Sequence, residues 1–524
     1  MTKNKRVAFF ISDGTGITAG SLGGLLAHFP DTEFEQIRIP FTNDSTKIED
    51  AQKRLANAKL MSGIRPVVIM SIGDPELRAE LKQVDAFYID LFESFLHPLG
   101  KELDEKPLTR PGVSHSITGT NYGNRMEAIN FALGHDETMM LKTPFYSRCL
   151  AACEINMWDD WKGYTTPQAY TSVEQEYFAV RSNTGVFDIS PMIKYRFTGP
   201  DAGAYLNRLL TRDIRKVGIG RVAYTVWCDD KGQVMDDGTI FHLAENDYRL
   251  CAYARCLDWL MWSAEGFDVT IADETAEVAA LAVQGPTSCA IFKNMGFEGI
   301  ENLKPFGLTR FPFEGSEVMI SRTGFTGDLG YEIWIDPSLA ETFWDRLFEA
   351  GKHRDIRPIG SYALDMLRTE AGFIQAGVDF IPSEEAVRTG RSRSPFELGL
   401  GWLVSFDKPV FNGRKALLKE KKEGSRYAFV YLDVEGNKPA EHAFIYDGNK
   451  EVGTVTTAAW CPTAKTNVAF AQVDAKYGKP GQELVTEIYY ERELKWTRVM
   501  AKCTVIEGAV FNPPRKRQTP AADF

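Results

Sequence analysis

Histidine and cysteine are scarce in this chain, with 7 and 8 among 524 residues. The cysteines are Cys149, Cys153, Cys228, Cys251, Cys256, Cys289, Cys461 and Cys503. They form no C-x-x-C pair and have no histidine at zinc-finger spacing, which excludes a zinc ribbon and a disulfide-stapled secreted scaffold. Basic charge is also in deficit, 60 Lys plus Arg against 71 Asp plus Glu for a net −11. An acidic chain with scattered charge excludes binding driven by nucleic-acid phosphates. Long apolar runs are missing as well. Val7–Ile11, behind Lys3, Lys5 and Arg6, is too short for a signal-peptide core, and no stretch reaches the ~18 apolar residues of a membrane span. A cytoplasmic protein with reduced thiols and no membrane partner is expected.

What is present is ordinary globular composition, 44% hydrophobic and 25% charged. At about 100–200 residues per domain the length predicts three or four domains. Three textures follow one another. Val7–Ser12, Phe34–Pro40 and Pro66–Ile72 read as buried strands alternating with helices over Ile17–His28 and Ser45–Lys59, so an α/β domain with a parallel sheet is predicted for 1–140. Residues 141–424 carry shorter alternating strands, frequent aromatics and Gly-containing hairpin turns such as Asp230-Lys231-Gly232, an α+β pattern. Residues 425–524 are almost purely strand: Ala428–Val434, Gly453–Ala458, Asn467–Val473, Leu484–Tyr490 and Thr497–Val505. That spacing predicts a small β-barrel or sandwich.

Gly14, Gly16 and Ala19 follow the first strand at the loose G-x-G-x-x-A spacing, in which backbone N–H groups can hold a phosphate. On these residues alone a tight strand-to-helix turn is the favoured reading. The longer segment Phe9-Phe10-Ile11-Ser12-Asp13-Gly14-Thr15-Gly16-Ile17-Thr18-Ala19, with Asp90-Leu91-Phe92, Gly112 to His115 and Tyr122 to Asp136, resembles the regulatory kinase/pyrophosphorylase acting on pyruvate phosphate dikinase or phosphoenolpyruvate synthase. That family goes on to a phosphate loop Gly-x-Ser-Arg-x-x-Lys-Thr-Pro. Here Lys142-Thr143-Pro144 occurs without the preceding Gly-x-Ser-Arg. The resemblance therefore implies a truncated relic or docking module rather than a working kinase.

The remainder carries an ordered series: Gly185-Val186-Phe187-Asp188-Ile189-Ser190, Tyr224, Gly232-Gln233-Val234-Met235-Asp236-Asp237-Gly238, Val283-Gln284-Gly285-Pro286, Gly330-Tyr331-Glu332-Ile333, Arg368-Thr369-Glu370-Ala371-Gly372 and Phe411-Asn412-Gly413-Arg414. Together these resemble the T-protein (aminomethyltransferase) of the glycine cleavage system and the related folate-dependent demethylases. The fold implied is a multidomain α+β folate-binding module with a C-terminal β-barrel. The cofactor implied is tetrahydrofolate, and the partner is a small methyl or aminomethyl donor or a carrier protein.

Asp236 and Asp237 are adjacent on a predicted strand, so they point to opposite faces and only one can meet a cavity. A buried carboxylate there can hold or deprotonate an amine as a carbon moves onto it. The resemblance assigns that role to Asp236. It also implies that Glu332 grips the pterin, whose adjacent N–H groups suit a carboxylate. Tyr224 and Trp402 are expected as aromatic walls for the pterin and benzoyl rings, though an aromatic at Trp402 reads equally as core. Tyr331 and Arg368 complete the expected cofactor-binding set, and Gln284 reads as ligand contact or turn support. Two departures concern the substrate: Pro191 stands where T-proteins carry a histidine, and Leu364 where they carry a folate-contacting arginine. Arg357 or Arg368 is left to compensate. The competing functions are a regulatory phosphotransferase through the first 140 residues and a folate binder without catalysis.

Overall fold

The computed structural model describes residues 4–13, 26, 29, 32–39, 42–103, 140–388, 390–492 and 495–520. The chain divides into two compact units, Met1–Glu137 and Thr138–Phe524.

In the first unit, β1 (Asn4–Ser12), β2 (Thr32–Ile39), β3 (Val67–Ser71) and β4 (Phe87–Asp90) form a sheet of order β2-β1-β3-β4. All its ladders are parallel, as the alternating β-α-β pattern predicts. The Ser45–Ser62 helix starts where the Asp44 carboxylate accepts from Lys47 N at 3.0 Å, and it stops at Gly63 in the left-handed region. Ile48, Ala51 and Leu55 form its buried stripe against Phe9, Ile11 and Val68. The glycine-rich turn at 14–19, the 17–28 helix and the segments 112–115 and 122–136 lie outside the described residues.

The second unit contains two sheets, each with its own outer core. Strands β9 (Ile193–Thr198), β10 (Arg221–Cys228), β11 (Val234–Ala244), β12 (Asp247–Ala252) and β13 (Thr270–Asp273) make one sheet of order β10-β11-β12-β9-β13. The other has order β15-β16-β17-β14-β8-β18, built from β8 (Thr184–Asp188), β14 (Ala279–Gln284), β15 (Leu308–Phe313), β16 (Ser316–Ser321), β17 (Gly330–Ile335) and β18 (Ile356–Pro358). Alternate residues of the first sheet, such as Tyr195, Leu250 and Ile240, pack outward onto the Ala202–Leu209 helix. In the second, Leu281, Val283, Tyr331 and Ile333 pack outward onto the Ser288–Asn294 and Ala340–Gly351 helices.

The inner faces meet. Phe241, Val222 and Cys251 of one sheet share a cluster with Ala280, Ala282 and Trp334 of the other, and the Phe241 and Trp334 rings meet edge-on at 5.0 Å. Because strand side chains alternate, every second residue beyond this cluster lines the same inter-sheet gap. A small sheet of β5 (Leu141–Lys142), β6 (Met157–Trp161) and β7 (Tyr164–Ala169) sends Trp161 into that region, 5.8 Å from Phe187.

The carboxy-terminal strands close a barrel, not a sandwich: β19 (Tyr427–Val434), β20 (Phe444–Asp447), β21 (Lys450–Cys461), β22 (Thr466–Asp474), β23 (Glu483–Arg492) and β24 (Lys495–Ile506), in the order β19-β22-β21-β20-β23-β24. The sequence pattern misses β20, four residues ending at Asp447-Gly448 that alternate too briefly to register. No helix among the described residues is long and apolar enough to cross a membrane, and none of the cysteines is paired.

Candidate active site

The β10–β11 ladder pairs Tyr224 with Thr239 and Val226 with Asp237. Tyr224 and Asp237 therefore share the inner face, and the Tyr224 hydroxyl donates to Asp237 Oδ2 at 2.6 Å. Asp236 lies on the other face. Beyond Ala252 the β11–β12 ladder parts, and the Asp236 carboxylate fills the opening. Its Oδ2 accepts from Tyr253 N at 3.0 Å and Ala254 N at 2.8 Å, and its Oδ1 accepts from Asp237 N at 2.8 Å. The alternation expected from the sequence is present, but the choice of Asp236 as the gap-facing member is reversed: its oxygens are occupied by backbone, and Asp237 faces the gap.

Burial pushes the Asp237 carboxyl up to about 6, against the opposing hydrogen bond from Tyr224. Burial, reinforced by the neighbouring Asp237, also raises Asp236. Two adjacent raised carboxyls make a site that can hold or release a proton near neutral pH.

On the facing sheet, Glu332 and Trp334 point inward while Tyr331 and Ile333 point outward. Glu332 Oε2 accepts from the Thr323 hydroxyl at 2.5 Å, and burial pushes its carboxyl up to about 7. Its Oε1 has no hydrogen-bond partner among the described residues, so one carboxylate oxygen is presented to the gap. Glu332 is positioned by Gln284, whose amide donates to the carbonyls of Thr323 and Tyr331 and accepts from the Thr326 hydroxyl. A Cβ at Gly324 or Gly330 would lie 1.9 or 2.3 Å from the Gln284 amide oxygen, so a side chain at either position would push that amide out of place. Gln284 is turn support.

The other expected ligands separate. Tyr331 is fully buried in the outer core, edge-on to Phe292 at 5.4 Å, and does not reach the gap, because it alternates with Glu332. Arg368 is a tie between the Ser361–Glu370 helix and the barrel. Its five N–H donors are taken by Asp365, Asp379, the Phe373 carbonyl and the Thr457 hydroxyl, leaving none for a ligand. Trp402 is 67% exposed, with its ring 6.3 Å from Tyr224 and the Arg212 guanidinium 5.9 Å above it. The structure thus brings Asp237, Tyr224 and Trp402 together, with Glu332 on the opposing wall, and removes Tyr331, Arg368 and Asp236 from direct reach.

Three cations near the gap escaped the sequence reading. Arg212 donates to the Tyr224 carbonyl at 2.9 Å. Lys194, fully buried and in the same cross-strand row as Cys251, Thr239 and Tyr224, donates to the carbonyls of Ser190 and Met192 at 2.8 and 2.9 Å. It braces the turn at Pro191, and burial pulls its ammonium down to about 8. Lys162 is the third. A lysine on an alternating strand or a hairpin tip carries no sequence signal of its own. Among the described residues no cluster of metal-ligating side chains occurs.

Facing sheets with opposed carboxylates, joined to a closed barrel, define a multidomain α+β enzyme module. The family model of the GCVT N-terminal domain matches residues 152–408, and that of the glycine cleavage T-protein C-terminal barrel domain matches 428–503. The aminomethyltransferase of Caldanaerobacter subterraneus is 34% identical over 331 residues, 62% of this chain and 86% of that protein. That of Streptomyces avermitilis is 35% identical over 331 residues, 62% and 87% respectively. The crystal structure of glycine cleavage system aminomethyltransferase T from Bartonella henselae is 26% identical, with a TM-score of 0.63 over 73% of this chain and all of that one. The chain belongs to the glycine cleavage T-protein (aminomethyltransferase) family, and it is an enzyme of that transferase class. A kinase/pyrophosphorylase model matches residues 8–144.

Proposed function

We propose that the second unit is a tetrahydrofolate-dependent one-carbon transferase with Asp237 as its acid/base and Glu332 as its pterin clamp. The observation that carries this reading is the inward-facing Asp237, held by the Tyr224 hydroxyl on the sheet opposite Glu332. The residues fit the cofactor: Glu332 Oε1 is an open acceptor suited to the paired N–H groups of a pterin, and Tyr224 and Trp402 offer aromatic faces for flat rings. When bound, tetrahydrofolate supplies the nitrogen that accepts the carbon.

Asp237, with its pKa raised to about 6, can take a proton at its free oxygen and give it up again near neutral pH. Tyr224 fixes that carboxylate's orientation and favours its charged form. Asp236 anchors the parted end of β12, so that the Asp237 backbone does not drift. The carbon donor in this reading is a small amine, thioether or methoxy compound; an aminomethyl group delivered on a carrier protein is the other source.

The first unit is read as a relic or docking module. Lys142, in the segment that would close a phosphate loop, instead pairs with Thr165 in the second unit's small sheet, and Thr143 is buried there. The test is titration of the full chain with tetrahydrofolate, followed by single-turnover formation of 5-methyl- or 5,10-methylene-tetrahydrofolate from a panel of methylated donors. Absence of tetrahydrofolate binding would end this reading.

A further inference from the structure

The turn between β6 and β7 is tight, and both its central residues lie in the left-handed region: Lys162 at φ 57° and Gly163 at φ 85°. Hairpins of this kind favour Asn or Asp followed by Gly, because short polar side chains tolerate that backbone. A lysine there is held against its own preference, and such strain persists where the surroundings or the function require that side chain.

The surroundings place it at the gap. Trp161, the preceding residue, packs with the inner-face cluster beside Phe187. Lys162 Nζ stands 3.5 Å from the centre of the Tyr253 ring. Tyr253 is the first residue past β12, and its N–H is one of those held by Asp236. The Tyr253 ring packs with Tyr224 and Val226 of the inner face, so the ammonium lies at the gap, where Asp236 is among the carboxylates that attract it. Half-buried, it has no hydrogen-bond acceptor and no carboxylate within bonding distance among the described residues. Glu385, Asp236 and Asp160 attract it only from farther off, and burial pulls its pKa below the ordinary lysine range. The ring face of Tyr253 takes one side of the cation, and its remaining N–H donors are left for something outside the chain.

We propose that Lys162 anchors a carboxylate of the one-carbon donor, which makes the donor a free small acid rather than a carrier-bound group. This rests on the reading of the gap as the transfer site. The strained turn is then explained as well: only a long cationic side chain at this tip reaches over Tyr253.

The experiment uses the full chain and equilibrium titration with three acid–amide pairs: N,N-dimethylglycine, 3-(methylthio)propionate and 4-methoxybenzoate, each against its primary amide. Wild type should bind at least one acid tenfold or more tightly than its amide. Lys162→Asn should abolish that preference, while Lys162→Arg keeps part of it. Because asparagine suits the turn, Lys162→Asn should melt no lower than wild type, a result that a purely structural lysine would not give. An absence of any acid preference, or a preference that survives Lys162→Asn, overturns the proposal. Loss of affinity for tetrahydrofolate but not for tetrahydropteroate in Lys162→Asn also overturns it, since the carboxylate would then be the folate tail. Failure of wild type to bind tetrahydrofolate at all would strike the transferase reading instead, leaving the acid–amide result to be judged by itself.

Discussion

The Tyr224 hydroxyl donates to Asp237 at 2.6 Å across the β10–β11 pair, while Asp236, one residue earlier, gives both its oxygens to backbone N–H groups. Two neighbouring carboxylates are thereby sent to opposite faces by strand alternation, with the register of β11 on β10 turning Asp237 inward.

Asp237→Asn keeps the shape but cannot take a proton. Turnover should fall by roughly 10²–10⁴, the usual share of a positioned acid/base, with tetrahydrofolate affinity largely kept. Asp236→Asn turns an NH₂ or a single acceptor toward three N–H groups, and should cost about 1–3 kcal/mol of stability for the unmet donors. Single-turnover rates and urea unfolding of the two variants separate the roles. A dead Asp236→Asn beside a nearly normal Asp237→Asn would restore the reverse assignment.

Tyr224→Phe removes a hydrogen bond that favours the charged Asp237 carboxylate. The Asp237 pKa should rise above about 6, moving the acid limb of the kcat/KM profile to higher pH. At pH 8 the loss should be small, and at pH 6 larger. A pH profile parallel to wild type would remove Asp237 as the group behind that limb.

The fold was legible where periodicity is long. Three of the four parallel strands of the first unit and five barrel strands follow from apolar runs, whereas β4 and β20, four residues each, are too short to show a pattern. The site was legible only in part. Alternation shows that Asp236 and Asp237 diverge, but which one faces inward depends on the register of β11 against β10, set by partners distant in sequence. Likewise the motif presents Tyr331 and Glu332 side by side, although period 2 allows only one of them to reach the gap. Arg368 looked available because its acceptors, Asp379 and Thr457, arrive from a loop and from the barrel.

Arg368→Met tests that last point. It leaves the fully buried Asp379 without its cationic partner, a type of change that typically costs 3–5 kcal/mol. The midpoint of urea unfolding should fall sharply. Adding Asp379→Asn should recover part of the loss, because the uncompensated charge goes with it. A stable Arg368→Met with weakened folate binding would instead return Arg368 to the ligand set.

Glu332→Gln separates binding from stability because the two should move in opposite directions. Folding raises the Glu332 pKa to about 7 from an ordinary 4.5, chiefly through burial. The folded state therefore holds the proton more tightly than the unfolded one. Stability contributed by this carboxyl is complete below about pH 4.5 and declines as pH rises toward 7, where a charge must be kept buried. Glutamine carries no charge, so the variant should melt above wild type at pH 8, and the difference should vanish near pH 4.5. Tetrahydrofolate affinity should move the other way. The charge-assisted bonds to the pterin, each about 1.5–3 kcal/mol, are lost, so affinity at pH 8 should drop by one to two orders of magnitude. In wild type that affinity should weaken as pH falls below about 7, and in the variant it should be flat. Calorimetric titration at pH 6 and 8, with melting curves at the same values, reads both effects. A variant that binds as wild type does at pH 8 would take Glu332 out of the site, whatever its melting temperature.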